Sequence, residues 1–311
     1  MDILTSIIIP VFNREDLIIE TLLSIKNQSY KKWECILVDD HSTDNTIPKI
    51  NSFIKDDKRF KLFKRPNNTN KGANSSRNYG FQKSIGQFIN WFDSDDLMHP
   101  NFLEKKIEIF ISGDCDVTIS KTQVFSNTIK NILYKENRTR ITKNILNDFL
   151  TLKVSWYLPD SMWRRTFLEN KELFDEKLFK GQDRDFHTRM LMRNPKIELV
   201  DQYLTYYRRH EKSISDTVSI SVIKSLFDSL NKRIRLLKNQ YLNTEIKIFF
   251  LKQQVSNYAY LYKEKGILKK YVIIFKVLFT FNLSYFKILF RFMLAIIFYS
   301  LFNKGSKLLK N

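Results

Sequence analysis

A unit repeated through the first hundred residues constrains the fold more than any other feature of this chain: a short apolar run, a polar or acidic end, then helical spacing. Thr5-Ser6-Ile7-Ile8-Ile9-Pro10-Val11-Phe12-Asn13 is apolar and β-branched until Pro and Asn close it. Leu17, Ile18, Thr21, Leu22 and Ile25 then recur at helical intervals within 15–26. Glu34-Cys35-Ile36-Leu37-Val38-Asp39-Asp40 repeats the pattern, with Ser42-Thr43-Asp44 as a helix start. Phe60-Lys61-Leu62-Phe63-Lys64 and the stretch from Gly86 to Phe92 are two further strand candidates. Runs that are apolar throughout suit a parallel sheet buried on both faces by helices. Four such strands alternating with helices predict a doubly wound α/β unit, whose ligands bind outside the carboxyl ends of the strands. Asn13, Asp39, Asp40, Asp93 and Asp95 all fall at those ends.

Trp91-Phe92-Asp93-Ser94-Asp95-Asp96 brings three carboxylates together behind the fourth run. Mg²⁺ and Mn²⁺ are hard cations that take oxygen ligands, commonly one or two protein carboxylates with phosphate oxygens and water completing the shell. Side chains two apart leave a strand on the same face, so Asp93 and Asp95 are expected to address one ion. An isolated Asp-x-Asp is more often a solvated turn. Its company with Asp39, Asp40 and Asn13 at the strand ends argues for a site.

Pro10-Val11-Phe12-Asn13, Val38-Asp39-Asp40-His41-Ser42-Thr43-Asp44, Asn70-Lys71-Gly72-Ala73-Asn74-Ser75-Ser76-Arg77-Asn78 and Phe92-Asp93-Ser94-Asp95-Asp96 closely resemble, in order and spacing, the motifs of the family 2 glycosyltransferases. The resemblance covers roughly residues 4–212. It implies a GT-A fold, an α/β doubly wound mixed sheet flanked by helices. It also implies an inverting, metal-dependent transfer of a sugar from a nucleoside diphosphate, a UDP-sugar foremost, to a hydroxyl of a glycan or lipid-linked acceptor in cell-surface polysaccharide synthesis. Carried over by position, Pro10, Val11, Phe12, Asn13 and Asp40 surround the nucleotide, with Asp40 accepting a base N–H. Gly72 and Arg77 lie against ribose and diphosphate. Asp95 is the principal ligand of a divalent cation, Mn²⁺ or Mg²⁺, and Asp93 serves the ribose or the ion. Asp96 has a competing role as the cap of the next helix, which Pro100 helps begin.

The acceptor hydroxyl also needs a base. Gly181-Gln182-Asp183-Arg184-Asp185-Phe186-His187 resembles the family's acidic pair at a helix start, with Gln182 where Glu is frequent. Asp183 holds the position of the base; Asp185 is the reserve, and an N-cap role for Asp183 is the structural alternative. Tyr203-Leu204-Thr205-Tyr206-Tyr207-Arg208-Arg209-His210 resembles the closing strand and the loop after it, where His210 is a candidate for the metal or diphosphate and equally a polar edge residue. His41, His99 and His187 lack zinc spacing. Residues 115–180 are expected to form the acceptor wall, with strands near Asp116 to Phe125 and Thr128 to Tyr134. Trp156, Tyr157 and Trp163 are its sugar-stacking candidates, at least one of them expected in the core.

Composition adds the rest. Cys35 and Cys115 have no paired or metal-ligand spacing, and the start Met1-Asp2-Ile3-Leu4 lacks a basic n-region, so a cytoplasmic enzyme is expected. The formal charge is +19, and from Ser221 onward seventeen Lys and Arg face only Asp228, Glu245 and Glu264, so that this stretch carries +14. Between Tyr271 and Phe302 the tail is apolar, yet Lys276, Lys287 and Arg291 break any span of about 20 residues. On a helix, Lys265, Lys269, Lys276, Lys287 and Arg291 form one stripe, which suits a helix lying in an anionic membrane surface, peripheral on the cytoplasmic face; packing on a protein surface is the alternative. The expected organisation is a nucleotide-sugar half at 1–115, an acceptor half at 116–215, and a basic, apolar helical extension at 216–311. A nucleic-acid-binding role is disfavoured, because acidic clusters stand where a phosphate track needs cations. A nucleotide-sugar pyrophosphorylase is disfavoured by the lack of a Gly-rich, Lys-containing loop after the first strand.

Overall fold

A computed structural model describes residues 3–209 and 219–264, with Phe290 and Leu294 besides. The chain divides into two compact units, Met1–Asp216 and Thr217–Asn311.

In the first unit the apolar runs become β1 (Thr5–Val11), β2 (Trp33–Asp39), β3 (Phe60–Lys64) and β4 (Phe88–Trp91). They lie parallel in the order β3-β2-β1-β4, with Thr5 beside Trp33 and Phe88, and Val11 beside Asp39. The alternation of side chains splits β1 between two cores. Ile7, Ile9 and Val11 pack with α1 (Ile18–Lys26), α2 (Thr46–Ile54) and α4 (Phe102–Ser112). Ile8 packs on the other face with Trp91, Val117, Phe149 of α5 (Ile145–Leu150) and Phe186 of α7 (Gln182–Leu191). Each such side chain contributes about 1.5–3 kcal/mol by leaving water. On that second face α3 (Ala73–Lys83) comes very near β1: a Cβ at Gly80 would stand 2.3 Å from Ile8 Cγ2, so only glycine permits the contact.

The sheet then becomes mixed. β8 (Ser161–Arg164) pairs antiparallel with β4 and with β6 (Val117–Phe125), and β9 (Ile197–Arg208) runs parallel to β6. β5 (Leu97–Met98) closes the edge antiparallel to β9, and β7 (Ile132–Lys135) hangs antiparallel on β6. The nucleotide half and the acceptor half expected from sequence therefore share one continuous sheet. Three boundaries move inward. The first helix begins at Ile18 rather than Glu15, the fourth strand at Phe88 rather than Gly86, and Thr128 lies in the turn before β7 because Asn127 adopts φ +57° and reverses the chain. The unit also holds a 3₁₀ turn at Leu158–Asp160 and the single turn α6 (Arg165–Leu168).

The ends of β1, β2, β3, β4, β6 and β9 lie along one edge of this sheet, and Asn13, Asp40, Arg65, Asp93, Phe125 and Arg208 occupy them or follow within two residues.

The second unit contains α8 (Ile220–Tyr241) and α9 (Thr244–Glu264), helices that contact each other. Ser219 Oγ accepts the Val222 amide and Asn243 Oδ1 the Ile246 amide, so each helix begins on a side-chain cap. Among the described residues no helix is long and apolar enough to cross a membrane. The basic stripe from Lys265 to Arg291 lies outside the described residues.

Candidate active site

The first loop of the site is built by exchange between the ends of β1 and β2. Asn13, at φ +48°, donates its backbone N–H to Ser42 Oγ (3.0 Å), and its Oδ1 accepts the Thr43 amide (2.8 Å). Asp39 Oδ1 accepts the Ser42 amide (2.9 Å), and the Asp40 amide donates to Val11 O (2.8 Å). Pro10 and Val11 are buried, whereas Phe12 is 38% exposed with Lys71 Nζ over its ring at 4.8 Å. Asp40 is buried and ion-paired with Arg65, whose Nη1 also holds Pro66 O (2.9 Å) and Thr69 O (2.8 Å). Sequence reading passed over Arg65. It directly follows the β3 run, and the strand-end rule that singled out Asp40 applies to it equally.

Gly72 precedes α3 at φ +131°, a backbone state that L side chains rarely adopt. Nothing lies within 4 Å of where its Cβ would be, so conformation rather than crowding demands glycine there. The α3 helix carries buried polar residues in its first turns. Asn74 Nδ2 donates to Asp175 O (2.7 Å) and Leu178 O (2.9 Å), and Asn78 exchanges two bonds with the backbone of Phe174. These asparagines tie the segment leading to α7 onto α3, a role that the motif alone did not indicate. Arg77 Nη2 donates to Asp93 Oδ1 at 2.8 Å, and its guanidinium stands 5.4 Å from the Phe174 ring. Its charge is thus delivered to a carboxylate.

Asp93 and Asp95 reach the site differently from the strand-face expectation. β4 ends at Trp91, Phe92 makes one more bond to Ile8 O (2.9 Å), and the acidic residues follow in a turn. Asp93 faces Arg77 of α3, while Asp95 Oδ2 lies 3.3 Å from Arg14 Nε beyond β1. Burial pushes the Asp93 carboxyl pKa up, Arg77 pulls it down, and the charges of Asp95 and Asp183 push it up again. The turn and the start of α7, distant in sequence, therefore share one electrostatic site. Asp96 does not cap α4, which follows Asn101. It is 1% exposed, its Oδ1 accepts the Arg208 amide (2.8 Å), and burial with the Asp95 and Asp93 charges drives its pKa well up.

Asp183 stands in the first turn of α7, behind Gly181 at φ +77°. Its Oδ1 is buried without a hydrogen-bond partner. Burial raises its pKa, against Arg77 and Lys180. It does not act as a side-chain cap for the helix, whose N-cap residue is Gly181. Asp185, the reserve base, is a structural residue: it is fully buried and pairs with Arg189 (2.9 Å). His210 lies outside the described residues. His41 Nε2 meets Arg65 O (3.0 Å), His99 Nδ1 accepts the Asn101 amide (3.1 Å), and His187 is buried among Phe149, Trp156, Trp163 and Phe186, where burial holds its pKa down to about 3. Trp156 and Trp163 are core residues, whereas Tyr157 is half-buried and stacks on Tyr207 at 4.9 Å, with its Oη 3.3 Å from Tyr134 Oη.

The residues present fit a divalent cation. Among the described residues no three His, Cys, Asp or Glu form a metal cage. The donor set is instead two carboxylates of one turn, the set that suits an ion sharing its shell with phosphate oxygens. Burial raises the pKa values of Asp93 and Asp96, and neighbouring aspartate charges raise them further, a crowding that such an ion relieves.

Residues 6–197 match the family described as Glycosyl transferase family 2. The chain belongs to that family. A relative named GalNAc(5)-diNAcBac-PP-undecaprenol beta-1,3-glucosyltransferase, from Campylobacter jejuni, is 31% identical over 185 residues, 57% of this chain and 56% of its own length. The chain spans less than half the length of several other curated relatives. Among solved structures, S. aureus TarS 1-349 in complex with UDP-GlcNAc aligns with a TM-score of 0.66 at 20% identity, covering 88% of this chain and 79% of that one. The mannosyltransferase PcManGT from Pyrobaculum calidifontis, in complex with GDP-Man and Mn²⁺, aligns with a TM-score of 0.57 at 14% identity, covering 96% and 87%. Both likenesses show the fold: the mixed sheet of this family 2 chain is of the GT-A type.

Proposed function

We propose that this family 2 chain is an inverting glycosyltransferase, which moves a sugar from a UDP-sugar to a hydroxyl of a glycan or lipid-linked acceptor in cell-surface polysaccharide synthesis. The observation that carries the reading is the approach of Asp183 to the Asp93–Asp95 turn at one edge of the sheet, near enough that its charge raises the pKa of Asp93. Asp95, with Asp93, would hold a divalent cation, Mn²⁺ or Mg²⁺, whose Lewis acidity would neutralise the departing diphosphate. Arg77 keeps Asp93 in place. Asp40, steadied by Arg65, accepts a base N–H, while Pro10 to Asn13 and Gly72 border the nucleotide. Asp183 takes the proton of the acceptor hydroxyl as its oxygen attacks the anomeric carbon opposite the leaving group, and a single displacement inverts that centre. Raised basicity suits the role, because a carboxylate in the ordinary range is a weak proton acceptor near neutral pH.

The acceptor side is the tyrosine group Tyr134, Tyr157 and Tyr207. Its rings offer stacking faces and hydroxyls of the kind that a sugar ring uses. Tyr157 follows Trp156, which packs 5.5 Å from His187 one turn beyond Asp183, and Tyr207 precedes Arg208 beside the acidic turn. A lipid-linked acceptor, as in the name of the Campylobacter jejuni relative, accords with the basic, apolar tail and a peripheral position on the cytoplasmic membrane face. Incubating the protein with UDP-glucose, UDP-GlcNAc, UDP-galactose or GDP-mannose, Mn²⁺ and a GlcNAc-diphospholipid tests the reading. Release of nucleoside diphosphate with glycosylated lipid is expected. Metal-independent turnover, or retention of the anomeric configuration in the product, overturns the mechanism.

A further inference from the structure

Arg208, the last residue of β9, binds both Asp95 and Asp96 of the acidic turn, and nothing in the family resemblance assigns it a role. Its backbone N–H donates to Asp96 Oδ1 (2.8 Å) and its Nε to the carbonyl oxygen of Asp95 (2.9 Å). Nη2 donates to Glu20 Oε2 (2.7 Å), Nη1 reaches Asn127 O (3.3 Å), and the guanidinium lies 4.8 Å from the centre of the Phe125 ring. From α1, Thr21 Oγ1 donates to Asp96 O (2.8 Å) and lies 3.2 Å from Ser94 O. Each carbonyl from Ser94 to Asp96 is thus addressed by a side chain of α1 or β9. A turn between β4 and β5 has little regular ladder to define it, since β4 stops at Trp91 and β5 is two residues long. The clamp supplies that definition.

We propose that Arg208 is a positioning residue for the divalent cation: by holding the Asp95 carbonyl it fixes where the Asp95 carboxylate stands. The inference rests on the metal role given to Asp95 above. Glu20 is the more exposed partner, its side chain 55% exposed against 4% for Arg208, so Glu20 orients a buried guanidinium from the rim. A planar fork with several donors at fixed angles suits this task, whereas lysine offers one compact charge. Groups that orient a metal ligand commonly carry ten- to a hundredfold in metal affinity.

The test measures Mn²⁺ affinity by electron paramagnetic resonance in the presence of UDP, and UDP affinity separately in the presence of EDTA. Arg208→Lys and Arg208→Ala are expected to weaken Mn²⁺ binding by about tenfold or more while leaving metal-free UDP binding unchanged. Added guanidinium ion is expected to restore part of the loss in Arg208→Ala. Glu20→Gln changes only the exposed partner and is expected to give a smaller fall of the same kind, so it decides the matter if the Arg208 variants fail to fold. Mn²⁺ affinity unchanged in folded Arg208 variants, or in Glu20→Gln where those do not fold, overturns the inference. Equal losses of Mn²⁺ and metal-free UDP binding also overturn it, because they mark general damage. Should the wild type bind no Mn²⁺ with UDP, the metal reading of Asp95 fails, and this inference with it.

Discussion

At the residue scale the proposed chemistry turns on Asp183, whose pKa burial raises against the pull of Arg77 and Lys180. A raised carboxyl favours the protonated form in the fold, so its stability contribution is lost as pH climbs from the unfolded value through the folded one. Asp183→Asn keeps the shape without the charge. It is expected to melt no lower than wild type at neutral pH, and to lose about 10²- to 10⁴-fold in transfer, as scanning calorimetry and product release will show. In wild type, kcat/KM should rise with pH through an inflection above the ordinary carboxylate range, and that inflection should vanish in the variant. Much of the site was legible one residue at a time. Asp40, Asp93 and Asp95 follow strands, Asp183 stands in the first turn of a helix, and one edge of the sheet collects the first three. Arg65 and Arg208 end strands too, but an arginine after an apolar run resembles any surface cation, and only the fold shows which carboxylate or carbonyl it meets. Asp185, the reserve, shows the converse, because its Arg189 partner four residues on declares an ion pair only when both are seen buried.

At the scale of elements, the apolar runs announced β1, β2, β3 and β4 because parallel strands covered on both faces leave continuous hydrophobic sequence. β5 and β8 were less legible. Two and four residues long, they take their place from pairing with β9, β4 and β6, and no local period declares such pairing. The turn bearing Asp93 and Asp95 shows the same limit: the strand was foreseen, its end at Trp91 was not, and the carboxylates therefore leave a turn. The packing of α3 on β1 gives the sharpest prediction at this scale. Gly80→Ala would thrust a methyl group against Ile8 and displace the helix that carries Arg77. Urea unfolding is expected to register a loss of about 1–3 kcal/mol, and Asp93, deprived of its aligned partner, should lose donor affinity with it. Unchanged stability would mean that the helix shifts freely.

For the whole molecule, the family match covers residues 6–197 of the first unit, and the second unit lies beyond it. Its charge surplus was visible by counting, while its partner is a matter of proposal. Sedimentation with anionic liposomes is expected to carry the full chain down, and replacing Lys265, Lys269, Lys276, Lys287 and Arg291 by Gln should leave most of it in the supernatant, since each basic residue adds about 1 kcal/mol near such a surface. Binding that survives the replacement would point instead to the apolar residues of the tail. In the proposed mechanism one cation at Asp95 and one base at Asp183 together drive the transfer. Single-turnover release of UDP from the preferred donor, followed against Mn²⁺ concentration for wild type, Asp95→Asn and Asp183→Asn, tests it most directly. Expected are saturable dependence on Mn²⁺ in wild type, weakened Mn²⁺ dependence with at least about a hundredfold loss in Asp95→Asn, and intact Mn²⁺ and UDP binding without transfer in Asp183→Asn. Wild-type rates from a folded Asp95→Asn protein, or turnover that ignores the metal altogether, would contradict it.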